Sequence, residues 1–170
     1  MKNWKTSKSA CLNILKMSKS KIIIYTDGGS RGNPGPGALG VVICDEKSKV
    51  LKEYSEYLGE NLTNNEAEYQ AVIFALKKAK ALFGKKAVKA VEVEVRSDSE
   101  LLIKQLNGEY KIMEPRIQPL FLQVWNLKID LGRVKFTAIS REQNKEADKL
   151  VNEALDQQGR KGLTGLFGQV

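Results

Sequence analysis

Histidine is absent from this chain, so acid–base chemistry at neutral pH has to use carboxylates, lysine or metal-bound water. Cysteine is scarce. Cys11 and Cys44 stand far apart with no CxxC spacing, which argues against a disulfide framework or a thiolate zinc site and fits a reducing compartment. Long apolar runs are missing as well. The early stretch ACLNILKM is broken by Asn13 and Lys16, too short and too polar for a signal peptide or a membrane span. These absences predict a cytoplasmic protein with no membrane partner.

What is present suits one domain: 170 residues, 42% hydrophobic and 28% charged. The net charge of +8 is uneven, because residues 1–20 hold five lysines and no acid, leaving the rest at +3 (23 minus 20). That basic segment, 1–20, reads as a mobile N-terminal extension, too weakly periodic to fold alone. From Gly159 the chain reads GRKGLTGLFGQV, a C-terminal tail over 159–170 behind a domain at 21–158.

Hydrophobic periodicity places strands at Lys21–Thr26, Ala38–Cys44, Val50–Leu58, Val91–Arg96 and Val134–Ile139. Helices are expected at Glu66–Phe83, Ser99–Leu106, about Pro115–Leu131 and Lys145–Gln157. Three consecutive strands on short turns pair antiparallel, whereas strands reached across helices are parallel. The expected fold is therefore α/β: a mixed five-stranded sheet, its first three strands antiparallel, flanked by helices.

The acids are informative by position, because an unpaired buried charge is costly. Asp27 ends the first strand and is followed by five glycines and two prolines in eleven residues. Asp98 follows the fourth strand, at the same sheet edge. Ser97-x-x-Glu100 has the form of a capping box, leaving Asp98 free. Thr63-Asn64-Asn65-Glu66 is a second such box, which occupies Glu66, whereas Glu68 shares a face with Val72, Ala75 and Ala79. Asp148 lies with Val151 and Leu155 on the inward face of the last helix. Each acid taken singly suits a structural pairing. Should all four converge, their repulsion calls for divalent cations, and oxygen ligands suit Mg²⁺. Two such ions make the usual clamp for phosphoryl displacement. The glycines Gly28 and Gly29 would then let backbone N–H groups approach a ligand. GxxxxGK[ST] and GxGxxG are both missing, so a nucleotide-binding loop has little support.

The segments TDGGSRGNPGPG, TNNEAEYQAVIFAL, SDS and NKEADKLVNEA, in this order, resemble the four motifs of type 1 ribonuclease H, from about Lys21 to Gln157. The resemblance implies metal-dependent hydrolysis of the RNA strand of RNA/DNA hybrids, leaving 3′-hydroxyl and 5′-phosphate ends, with two Mg²⁺ ions or Mn²⁺ in their place. By motif, Asp27 would bridge both ions, Asp148 would complete the one holding the attacking water, and Glu68 and Asp98 the other. Asn33, Thr63, Asn64 and Asn65 fall where that family contacts the hybrid. Double-stranded RNA is a further expected partner, and the protein is expected to act as a monomer.

Three departures stand out. Many members carry a histidine before the last motif; here Ala138 lies near that place and Arg141 is the nearest charged side chain. Glu100 stands where some members have glutamine. Asn107–Leu131 lacks a lysine-rich protrusion, and Trp125 within it is expected to have a core or packing role, with contact to DNA as the alternative. The competing functions are a catalytically silent hybrid- or double-stranded-RNA-binding module, and a transposase- or integrase-like nuclease.

Overall fold

The computed structural model describes residues 20–84 and 86–167, with side chains as far as Arg160. The elements run β1 (Lys21–Ser30), β2 (Gly35–Asp45), β3 (Val50–Leu62), α1 (Asn64–Phe83), β4 (Glu92–Ser97), α2 (Glu100–Leu106), α3 (Gln118–Leu131), β5 (Arg133–Ala138) and α4 (Lys145–Phe167). The sheet order is β3-β2-β1-β4-β5, antiparallel across the first three strands in sequence and parallel from β1 to β4 to β5. This is the mixed sheet expected from the order of elements.

Side chains alternate between the two faces of a strand, and each face of this sheet has its own cover. Ile22 and Ile24 of β1, Leu39, Val41 and Ile43 of β2, and Val93 and Val95 of β4 are buried in one core with Val72, Ala75, Leu76 and Ala79 of α1. Full burial of an aliphatic side chain of this size contributes about 1.5–3 kcal/mol. On the other face Ala38 packs with Val151, Ala154 and Leu155 of α4, and Ile23, Val42 and Cys44 form a smaller cluster touched by Leu150. Glu94 is buried as well. Burial alone would raise its pKa, but hydrogen bonds from Arg96 and Lys21 hold it down at about 2.

The structure differs from expectation at the ends of several elements. β1 does not stop at Thr26 but continues to Ser30, so Asp27 lies inside the strand, opposite Gly40 of β2. β2 and β3 are longer for the same reason, and the glycine-rich stretch is mostly paired hairpin closed by a tight turn at 31–34. α4 runs past Gln157 to Phe167. Extending a helix adds one hydrogen bond per residue ordered, so it can continue through a glycine that would never start one. The mobile segment expected at 1–20 lies outside the described residues but for Ser20. Among the described residues no helix is long and apolar enough to cross a membrane.

Candidate active site

The β1–β4 ladder ends at Tyr25↔Arg96, while β1 goes on beside β2 alone. The sheet thus has a notch past that rung, and acids from both of its faces meet there. By strand alternation Asp27 points to the α4 side and Gly28 to the α1 side. Asp27, Glu68, Asp98 and Asp148 all line one open cavity of about 370 Å³ with Gly28, Gly29, Ser30, Arg31, Asn64 and Arg141. All four inward or edge acids picked out in the sequence are therefore brought together.

Glycines set how closely the helices dock. A Cβ on Gly28 would fall 2.2 Å from the Ala67 carbonyl carbon, one residue before Glu68. One on Gly40 would fall 2.1 Å from the Ala147 oxygen, one residue before Asp148. Gly28 thus lets α1 dock against β1, while Gly28 and Gly29 both stay on the wall of the cavity.

Burial pushes Asp27 up to about 7, helped by the charges of Asp98, Asp148 and Glu68 and opposed by the Gly28 N–H. Burial also pushes Glu68 up to about 7, with the Ser99 hydroxyl donating to it at 2.7 Å and pulling the other way, while the Asp98 charge adds to the rise. Asp98 Oδ1 accepts from Asn144 Nδ2 at 2.7 Å, and the same amide donates to the Thr26 carbonyl at 3.0 Å. Asp148 Oδ1 lies 3.7 Å from Arg141 Nη2. With each acid turned to its own neighbour, no three of His, Cys, Asp or Glu among the described residues are gathered closely enough to hold a metal ion as they stand. The donor set itself fits a hard divalent cation: four carboxylates, no sulfur and no imidazole, with the repulsion among them that such an ion relieves.

The capping logic separates Glu66 from Glu68 as expected. Glu66 N–H donates to Thr63 Oγ1 at 3.3 Å, the Thr63 N–H donates to Glu66 Oε2 at 2.8 Å, and Arg116 pairs with Glu66 at 2.9 Å. The cap of α2 needs correction. Ser99, not Ser97, accepts from the Leu102 N–H, while Ser97 Oγ accepts from the Ser99 N–H. Asp98 is free of capping duty all the same.

Asn64 lines the cavity and its Oδ1 accepts from the Ser30 N–H at 2.8 Å, while Asn33 Oδ1 accepts from the Asn64 N–H at 3.1 Å. These contacts tie the β1–β2 hairpin to the start of α1. Asn33, Thr63 and Asn65 are not among the cavity's walls. Glu100 lies exposed and pairs with Lys104 at 2.6 Å. Trp125 is half exposed and packs by stacking on Phe121. Sequence reasoning passed over Ser99, Asn144 and Ser30. Of these, only Asn144 left a trace, as a polar residue four positions before Asp148 on the same side of the coming helix.

Residues 25–154 match the model of the reverse transcriptase-like family. LC11-RNase H1, isolated from compost by a metagenomic approach, has the same fold with a TM-score of 0.77 at 50% identity, covering 84% of this chain and 99% of that one. The chain belongs to the type 1 ribonuclease H family. The LC11 enzyme is also known in complex with an RNA/DNA hybrid, where the match is 51% identical over 81% of this chain and 98% of that one, with a TM-score of 0.77. Ribonuclease HI of Halobacterium salinarum is 38% identical over 80% of this chain and 65% of its own length. The bifunctional protein Rv2228c of Mycobacterium tuberculosis is 37% identical over 80% of this chain. The chain spans 36% of that protein's length, so it corresponds to one part of a longer relative.

Proposed function

We propose that this ribonuclease H is an endonuclease that hydrolyses the RNA strand of RNA/DNA hybrids, leaving 3′-hydroxyl and 5′-phosphate ends. The observation that carries the proposal is the meeting of four carboxylates, from β1, α1, the end of β4 and α4, in one open cavity. A pure phosphate binder gains nothing from such a cluster, which repels its own ligand. Asp27, Glu68, Asp98 and Asp148 would hold divalent ions, of which Mg²⁺ best suits the donors, with Mn²⁺ as a substitute. Bound there, the ions supply charge neutralisation and a water acidified toward neutral pH.

The remaining work falls to side chains. Ser99 and Asn144 fix Glu68 and Asp98 by donating to their carboxylates. Arg141, largely exposed beside Asp148, would meet a phosphate oxygen and is the charged side chain nearest to the place, close to Ala138, where many members carry histidine. Being always protonated, it stabilises charge but cannot relay a proton as imidazole does. On the rim, Asn64 and Ser30 present amide and hydroxyl groups of the kind that read the minor groove and its 2′-hydroxyls, with Asn33 holding the Asn64 backbone.

An end-labelled hybrid, a DNA duplex and a double-stranded RNA, each incubated with Mg²⁺, with Mn²⁺ and with chelator, test the proposal. The expected result is cleavage of the RNA strand of the hybrid in both metals and none in chelator. An intact hybrid in both metals would overturn it.

A further inference from the structure

A second charged feature lies at the far end of the molecule. The stretch from Lys77 to Val91 contains six lysines and no acid. Gly84, with φ +78, ends α1 and turns the chain back through a 3-10 turn at Ala87–Ala90. This fold-back sets Lys86 and Lys89 beside Lys80, around a cavity of about 400 Å³ that Asp130 of α3 also lines.

Part of this charge has an ordinary structural use. Lys80 sits in the last turn of α1, where a cation suits the helix dipole, and it pairs with Asp130. At the same end Glu92 offsets Lys21, and Arg133 donates to the Ala90 carbonyl. Lys86 and Lys89 differ. Both are exposed, and neither has an ion-pair partner among the described residues. The excess is therefore a pair of cations without ion-pair partners among the described residues, at the mouth of a cavity wide enough to admit a stretch of phosphate backbone.

Lys80 is twelve residues beyond Glu68 on the same helix, about 18 Å at 1.5 Å per residue. A phosphate held here is not the one being cleaved. We infer that Lys86 and Lys89, with Lys80 behind them, form a second polyanion-binding surface that takes the phosphate backbone of a nucleic-acid segment outside the cleavage groove. The choice of nucleic acid rests on the proposed hybrid substrate, since a long substrate brings flanking backbone to the protein at high local concentration. The absence of a lysine-rich protrusion near the site leaves this end as a separate place for phosphate contacts.

The test uses the full chain and a 30-base-pair DNA duplex, which is not cleaved, so binding is read independently of hydrolysis. Binding is titrated over a range of salt for the wild type and for K86E/K89E, with kcat and KM measured on a short hybrid in parallel. The expected result is at least a fivefold loss of duplex affinity at low salt, a salt slope smaller by about 2, and unchanged kcat and KM. Duplex binding that is unchanged in K86E/K89E would overturn the inference. So would loss of binding to anionic lipid vesicles in that variant with duplex binding intact, which would assign the surface to a membrane. Failure of the wild type to cleave the hybrid refutes the proposed function and leaves the duplex titration to judge this surface by itself.

Discussion

Asp27 stands directly opposite Gly40 in the β1–β2 register, and the missing side chain of Gly40 is what lets the Ala147 backbone, with Asp148 next to it, lie over the same rung. The two acids share a site because one residue on the neighbouring strand has no Cβ. Gly40→Ala should therefore force α4 outward. The expected cost is about 1–3 kcal/mol of stability, with a loss of cleavage larger than the shift in melting explains. Calorimetry alongside kcat at a temperature where the variant stays folded checks this. Unchanged kcat would show that Asp148 tolerates the displacement.

Glu66 and Glu68 should separate cleanly. Glu66→Gln keeps an amide that can complete the capping box and loses the ion pair with Arg116, so about 1 kcal/mol or less of stability and little activity should go. Glu68→Gln should lower kcat by on the order of a hundredfold or more while the melting temperature holds or rises. Paired kinetics and melting of the two variants decide it, and the reverse pattern would refute the assignment.

Asn144 is buried, and its amide bridges the Thr26 carbonyl and Asp98. Asn144→Ala leaves that carbonyl without its side-chain donor and lets Asp98 swing. A loss of about 1–3 kcal/mol is expected, together with reduced cleavage. If Asn144 only supports the fold, activity per folded molecule will match the wild type.

The pH dependence of stability follows from three carboxyls. Asp27 and Glu68 bind their protons more tightly when folded, up to about 7, than at their ordinary values of 3.8 and 4.5. The stability they contribute is full below those ordinary values and is lost as pH rises through about 7. Glu94 works in the opposite sense: held at about 2, it contributes above 4.5 and loses its contribution as pH falls through 2. In chelator the melting temperature should thus be highest near pH 4 and decline as the pH rises to about 7, and Asp27→Asn should flatten that decline. A wild-type profile that rises from pH 6 to 8 would count against this account of the crowded site.

Much of this was legible in the sequence because an acid on an apolar face is an energetic anomaly that needs no neighbour to be noticed. Glu68 and Asp148 were found that way, and Asp27 by its place after an apolar strand. The partners that hold them were not legible. Ser99 and Asn144 are ordinary polar residues whose meaning depends on contacts to Glu68 and to Thr26, far away in the chain. Ser97, with Glu100 three residues on, fitted the capping-box pattern better than Ser99, which has Leu102 there, and only the backbone path after β4 chose Ser99. Gly28 signals that something comes close, and sequence alone does not say that a helix is part of it.

The notch where β1 outruns β4 has a consequence for how activity fails. Its four acids come from the first strand, the first helix, the fourth strand's end and the last helix, so almost the whole described chain has to be in place before all four of them meet. Hydrolysis should therefore disappear in step with the cooperative melting of the whole domain, and a bead-bound hybrid assay would serve as a gauge of global folding.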